Sequence, residues 1–193
     1  MGSPISFLRT FPPAQQKELA AALRLCRRRV DQSLSDVTIT TNATSTVATL
    51  KCPANELGAD SVIHCRVAGS LAANASALGL TPLIAINGTT FYTDQLTVPD
   101  AGTDTIKSFL LDFRIYWKTP TTARLEGQFQ LSTDNVAAAD TGAGALGGTD
   151  TIGAAFNHEL TSLQQAMDHI ITVTMAAANG LSGTSKVAAL WVE

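Results

Sequence analysis

Three histidines, sixteen carboxylates and three cysteines are the side chains of this 193-residue sequence with the chemistry for catalysis or metal binding. His158-Glu159 opens like the zinc-protease pattern H-E-x-x-H, where two imidazoles one helical turn apart share a metal. Position 162 is Ser, so the second ligand is missing. His169 lies eleven residues beyond His158, with Asp168 beside it, and His64 is far upstream. A zinc site needs at least three converging ligands; a three-histidine site is conceivable, but nothing in these spacings supports one. Gly142-Ala143-Gly144-Ala145-Leu146-Gly147 matches G-x-G-x-x-G. That motif works only between a strand and a helix whose amides face a pyrophosphate, and here it sits in a glycine-rich stretch without a βαβ unit. Asp94, Asp100 and Asp104 offer oxygen ligands but lack calcium-loop spacing and its terminal Glu. No G-x-S-x-G nucleophile elbow occurs. The expectation is a protein that is not an enzyme, with no cofactor and no metal.

Arg24, Arg27, Arg28 and Arg29 form the one dense charge cluster. Residues 1–36 hold six bases and three acids, and the remainder holds seven bases and thirteen acids. A net +3 segment therefore precedes a net −6 body, which has no basic stripe to displace counterions from phosphates. No nucleic-acid partner is expected. Phe7, Leu8 and Phe11 stand in a proline-flanked stretch with no local core to enter. Either these residues fold back onto the β domain or the segment is an arm that docks on another protein, and the arm is the expectation. Its contact residues are Phe7, Leu8, Phe11, Leu19, Leu23, Arg24, Arg27 and Arg28.

The three cysteines, Cys26, Cys52 and Cys65, are too few and too odd for a disulfide framework. Cys52 and Cys65 fall on neighbouring expected strands and could pair, but free thiols are the expectation. No charged and then apolar leader opens the sequence, and no apolar run approaches the ~20 residues of a membrane helix. Neither export nor a membrane partner is expected. The sequons at Asn42, Asn74 and Asn87 are then chance products of a threonine-rich chain.

Certain elements must position these groups. Pro12-Pro13 followed by alanine, leucine, glutamate and arginine predicts a helix from Ala14 to Val30. Leu19, Leu23, Cys26 and Val30 form its apolar stripe. Beyond Val37 the period falls to two. Strands are expected at 37–40, 46–50, 62–68, 106–118, 123–132, 168–177 and 186–192. Residues 83–92 read as a hairpin whose Asn87-Gly88 pair suits a type I′ turn. One long connection, about 132–165, interrupts the series, and its second part, Phe156 to Met167, has helical spacing. Charged residues are only 15% of the chain, against roughly 25% in soluble domains. Ala and Thr together supply 54 of 193 residues. Few Glu and Lys and many Thr argue for sheets over helices. The expected architecture is mainly β: an antiparallel β-sandwich (jelly roll) at 37–193, with the 132–165 insertion, preceded by an N-terminal helical arm at 1–36.

The stretches Thr46–Leu50, Pro53–Ala59, Val62–Gly69 and Ile84–Thr89, with a late strand containing Trp191, resemble jelly-roll modules of tailed-bacteriophage virion proteins. Such modules occur in capsid decoration (cement) proteins, head fibres and tail-fibre tips. The resemblance covers roughly residues 40–193 and leaves the basic arm outside it. It implies no catalytic residues and a stable β module, a homotrimer, that binds a major capsid protein or another virion protein. The corresponding location is the capsid surface of the virion, after synthesis in the host cytoplasm. A receptor- or glycan-binding fibre tip is the alternative. Fibre tips ride on long repetitive shafts, and the absence of a fixed repeat favours the decoration or head-fibre reading.

Overall fold

The computed structural model describes residues 28–57, 60–72, 78–93, 96–98, 105–134, 151–161, 163–178 and 180–193. Twelve strands follow in chain order: β1 (Arg28–Ser33), β2 (Val37–Ile39), β3 (Ala43–Cys52), β4 (Val62–Ala72), β5 (Leu78–Ile86), β6 (Thr89–Thr93), β7 (Leu96–Val98), β8 (Thr105–Thr119), β9 (Thr122–Asp134), β10 (Thr151–Thr161), β11 (His169–Ala178) and β12 (Ser182–Val192). Seven of them form one sheet in the order β1-β12-β4-β8-β9-β10, with β2 beside β1 on the same flank of β12. The other five form a second sheet, β3-β11-β5-β6, with β7 also on β5. Every pairing is antiparallel.

Alternation along the strands explains how the two sheets meet. Phe109, Leu111, Phe113 and Ile115 of β8 are buried, as are Ile63, Cys65 and Val67 of β4 and Leu125, Phe129 and Leu131 of β9. From the other sheet come Leu50, Ile84, Ile86, Ile171, Val173 and Met175. All belong to one continuous apolar cluster, so the two sheets share a single core. Gly127 shows how tightly it is filled. A Cβ there would lie 2.6 Å from Phe113 Cβ and 2.6 Å from Phe156 Cζ, so only glycine lets these two rings flank β9.

The expected strands at 37–40, 46–50, 62–68, 106–118, 123–132, 168–177 and 186–192 are all present, several of them longer than expected. The 83–92 hairpin is β5-β6, and both turn residues are left-handed, Asn87 at φ 50° and Gly88 at φ 81°. Three expectations need correction. The arm helix was to run through Val30, but Arg28, Arg29 and Val30 begin β1, which pairs with β12. Sheet pairing and the packing of Val30 on the core override a local helical preference. Six residues of the 1–36 segment therefore belong to the sheet; residues 14–27 lie outside the described residues. The helix expected at Phe156–Met167 is also absent: β10 continues to Thr161, and Leu163 to Asp168 are irregular. Phe156 and Leu160, both buried, are four residues apart, and that spacing falls on one face of a strand as well as of a helix. Finally, the 132–165 connection is shorter than expected. β9 reaches Asp134 and β10 starts at Thr151, while 135–150 lie outside the described residues.

Candidate functional site

Charge is divided unequally between the two sheets. Lys51 is the single Lys, Arg, Asp or Glu in the five strands β3, β5, β6, β7 and β11, whereas the seven strands of the other sheet hold thirteen. Lys51 sits at the end of β3 and is paired with Asp168 at 3.2 Å.

The outward face of the five-stranded sheet is built of small uncharged residues in register. Thr49, Thr172, Ala85 and Thr90 make one row across β3, β11, β5 and β6. Thr46, Thr174, Leu83 and Thr93 make the next, followed by Thr44, Ala176 and Thr81. Ile170 projects beside them with 47% of its surface exposed. The free edge amides beside this face are partly occupied: the Lys51 N–H donates to Asp31 Oδ2 (2.6 Å), and the Thr40 N–H donates to Ser45 Oγ (3.1 Å). Of these two amides only that of Lys51 belongs to β3, and the Asp31 side chain occupies it.

The outward face of the seven-stranded sheet is the opposite in character. Tyr116 donates to Glu126 (2.8 Å), Asn157 Nδ2 donates to Glu126 (3.1 Å), and Arg124 Nε donates to Asn157 Oδ1 (2.5 Å). These bonds lock β8, β9 and β10 side by side. Lys118 pairs with Glu159 across the same face at 3.3 Å. On β4 and β8, Asp112 receives Arg66 Nε (2.7 Å) and Arg66 Nη2 (2.6 Å) on Oδ2, and its Oδ1 lies 2.6 Å from His64 Nε2. His64 is only 2% exposed although it points away from the core; Trp191 of β12 covers it, with ring centroids 5.5 Å apart.

The three histidines do not converge. His64 is on this outer face, His158 is exposed on β10 near Tyr92, and His169 is buried in the interior beside Trp117. Among the described residues no group of three or more His, Cys, Asp or Glu side chains is placed to hold a metal ion. His169 opposes Cys52 in register. Burial holds its imidazole below the ordinary 6.5, against smaller opposite pulls from the Gln165 carbonyl and Asp168. Burial, helped by Glu56 and Asp168, pushes the Cys52 thiol up to about 12. Burial pushes Cys65 up as well, with lesser contributions from Cys52 and Asp112. Both thiols are free, so the pairing left open from the sequence does not occur, and neither is a thiolate at neutral pH.

Of the expected arm contacts, Phe7, Leu8, Phe11, Leu19, Leu23, Arg24 and Arg27 lie outside the described residues. Arg28 lies in β1, where its backbone is in register with Val192. The glycine-rich 142–147 motif, Asp94, Asp100, Asp104 and Asn74 also lie outside them. Asn42 and Asn87 both take turn conformations, at φ 54° and φ 50°. Asn87 is also a bridge: it accepts the Ile170 N–H on Oδ1 (2.8 Å), and its own N–H donates to the Ile170 carbonyl (2.9 Å). Sequence reasoning missed the His64–Asp112–Arg66 cluster and the threonine rows. The alternation of His64 and Arg66 within β4 was the one available signal for the first. The cluster of Thr44, Thr46 and Thr49 was the signal for the second. No helix among the described residues is long and apolar enough to cross a membrane. No protein-family model matches this chain, and no curated protein matches its sequence.

Proposed function

We propose that this chain is a structural virion protein of jelly-roll type that assembles as a homotrimer and binds the outside of a bacteriophage capsid, with its basic N-terminal segment as the attachment device. The observation that carries the reading is the thirteen-to-one partition of charge between the sheets. A face of threonine, alanine and leucine whose single charged strand residue, Lys51, lies at one end and is paired with Asp168 matches the depletion of charged residues at the cores of subunit interfaces. It is well suited to meeting copies of itself, while the ion-paired face stays in water. The strand order supports the jelly-roll assignment. With β9 and β10 taken as an added hairpin, the sheets read β2-β12-β4-β8 and β3-β11-β5-β6. With the edge strands β1 and β7 also set aside, the eight that remain are, by chain position, first-eighth-third-sixth and second-seventh-fourth-fifth, the order of two wrapped Greek keys.

The mechanism is physical. The trimer buries one face of each sandwich, apolar residues Phe7, Leu8 and Phe11 anchor the arm, and Arg24, Arg27 and Arg28 add charge-assisted contacts to acidic shell surfaces. Many copies then stabilise the lattice, because they bind only its assembled state. Light scattering of the purified chain tests the oligomer: a particle of about three times 20.2 kDa is expected, and a monomer at micromolar concentration overturns the trimer. Removing residues 1–27, which leaves β1 intact, should abolish co-sedimentation with phage capsids while the sandwich still folds. Unchanged occupancy would sink the anchor.

A further inference from the structure

We propose that His64 is a proton-dependent latch that ties Glu193, the residue following β12, to β4. Both ring nitrogens of His64 face carboxylates: Nε2 lies 2.6 Å from Asp112 Oδ1, and Nδ1 lies 3.5 Å from Glu193 Oε1. The second distance is that of an ion pair and falls short of a hydrogen bond; Nδ1 is otherwise buried with no hydrogen-bond partner. A neutral imidazole has one donor and one acceptor nitrogen, and ionised carboxylates only accept. Only the imidazolium satisfies both sides at once. The two sides are not equivalent. Asp112 is gripped by Arg66 and its side chain is 16% exposed, whereas the Glu193 side chain is 32% exposed. Asp112 therefore stays, and Glu193 is the contact that responds.

The charged groups facing His64 are Arg66 from its own strand β4, Asp112 and Arg114 from β8, and Glu193 after β12. Arg114 is opposite His64 in register, exposed, and makes no ion pair among the described residues. Glu193 is also held through its backbone. Its N–H donates to the Val62 carbonyl (2.9 Å), and its carbonyl accepts the Val62 N–H (3.0 Å). With the proton present, side-chain and backbone attachments reinforce each other. When the proton leaves, a lone pair on Nδ1 faces the Glu193 carboxylate, and the side-chain contact that reinforced the two backbone bonds is lost. Local pH then sets how firmly the last strand is closed onto the sheet, independently of how the protein assembles.

Amide hydrogen exchange in the full-length protein, read by NMR alongside the ring nitrogens of His64, tests this. After correction for base catalysis, protection at Val62 and Glu193 should fall at least about tenfold as His64 loses its proton. Val173, in the middle of β11, should not change. In Glu193→Gln, where an amide can donate as well as accept, protection at Val62 should become insensitive to the state of His64. The half-exposed position of Glu193 lets that variant fold. Constant protection across the His64 titration, equal pH responses in wild type and Glu193→Gln, or a neutral His64 already at pH 5 would each overturn the latch.

Discussion

The interior imidazole and the outer one stand in opposite surroundings. His64 lies between two carboxylates, whereas His169 is fully buried, with its Nε2 only 3.4 Å from the Gln165 carbonyl and its Nδ1 without a partner. Burial disfavours the charged form of His169. The unfolded chain therefore takes up a proton near pH 6.5 that the folded chain refuses, and protons favour the state that binds more of them. His169 contributes stability that is fully present above about pH 6.5 and diminishes as pH falls below it. Melting curves of wild type and His169→Met between pH 7.5 and pH 5 check this. The variant is expected to gain on wild type as the pH drops; a constant difference would mean that the folded chain accepts the proton. No property of the isolated sequence separated these two histidines, because each environment is made by strands remote in the chain.

At the scale of elements, the β5-β6 hairpin does more than reverse the chain. Asn87 supplies a left-handed turn residue and ties that turn to the start of β11 through the Ile170 amide and carbonyl. Asn87→Ala keeps the backbone path at a cost in φ strain and strands the Ile170 N–H. A loss of about 1–3 kcal/mol of unfolding free energy is expected in denaturant titration. Asn87→Ser should recover little of that loss, because a serine hydroxyl is too short to reach across the turn. The hairpin itself was legible in the sequence, since Asn-Gly between alternating runs is a local signal. The fates of β1 and β10 were not. Three arginines after a leucine-alanine run favour a helix, and Phe156 and Leu160 four residues apart fit a helix or a strand equally. What decided both was a partner: β12 for the first, β9 for the second.

At the scale of the whole molecule, the two faces of the sandwich make different demands. If the threonine face is the trimer interface, one unpaired charge in its middle is enough to break it, because a buried unpaired guanidinium costs several kcal/mol. Thr174→Arg is expected to turn the trimer into a monomer in sedimentation analysis. Gln128→Arg, on the exposed ion-paired face, should leave the trimer intact. Surface changes of this kind shift the stability of the fold itself by only about 0.5 kcal/mol, so the two effects are separable. A trimer that survives Thr174→Arg would remove the threonine face from the interface. The 25 threonines, which from composition spoke only for sheets, thus include eight that line one face of one sheet.

The sequence by itself determined the class of the protein: low charge, β-branched alternation, a hairpin at 87–88, and most of the strands nearly in place. These are local properties, because a strand's period of two is written into consecutive residues. The tertiary structure decided which sheet each strand joins, and through that where the charges gather. His64 and Asp112 are 48 residues apart and meet only because β4 and β8 pair. Thr49, Thr172, Ala85 and Thr90 become one row only because β3, β11, β5 and β6 stand side by side. Contacts of that range depend on the energy of the whole core, which no short window of residues contains.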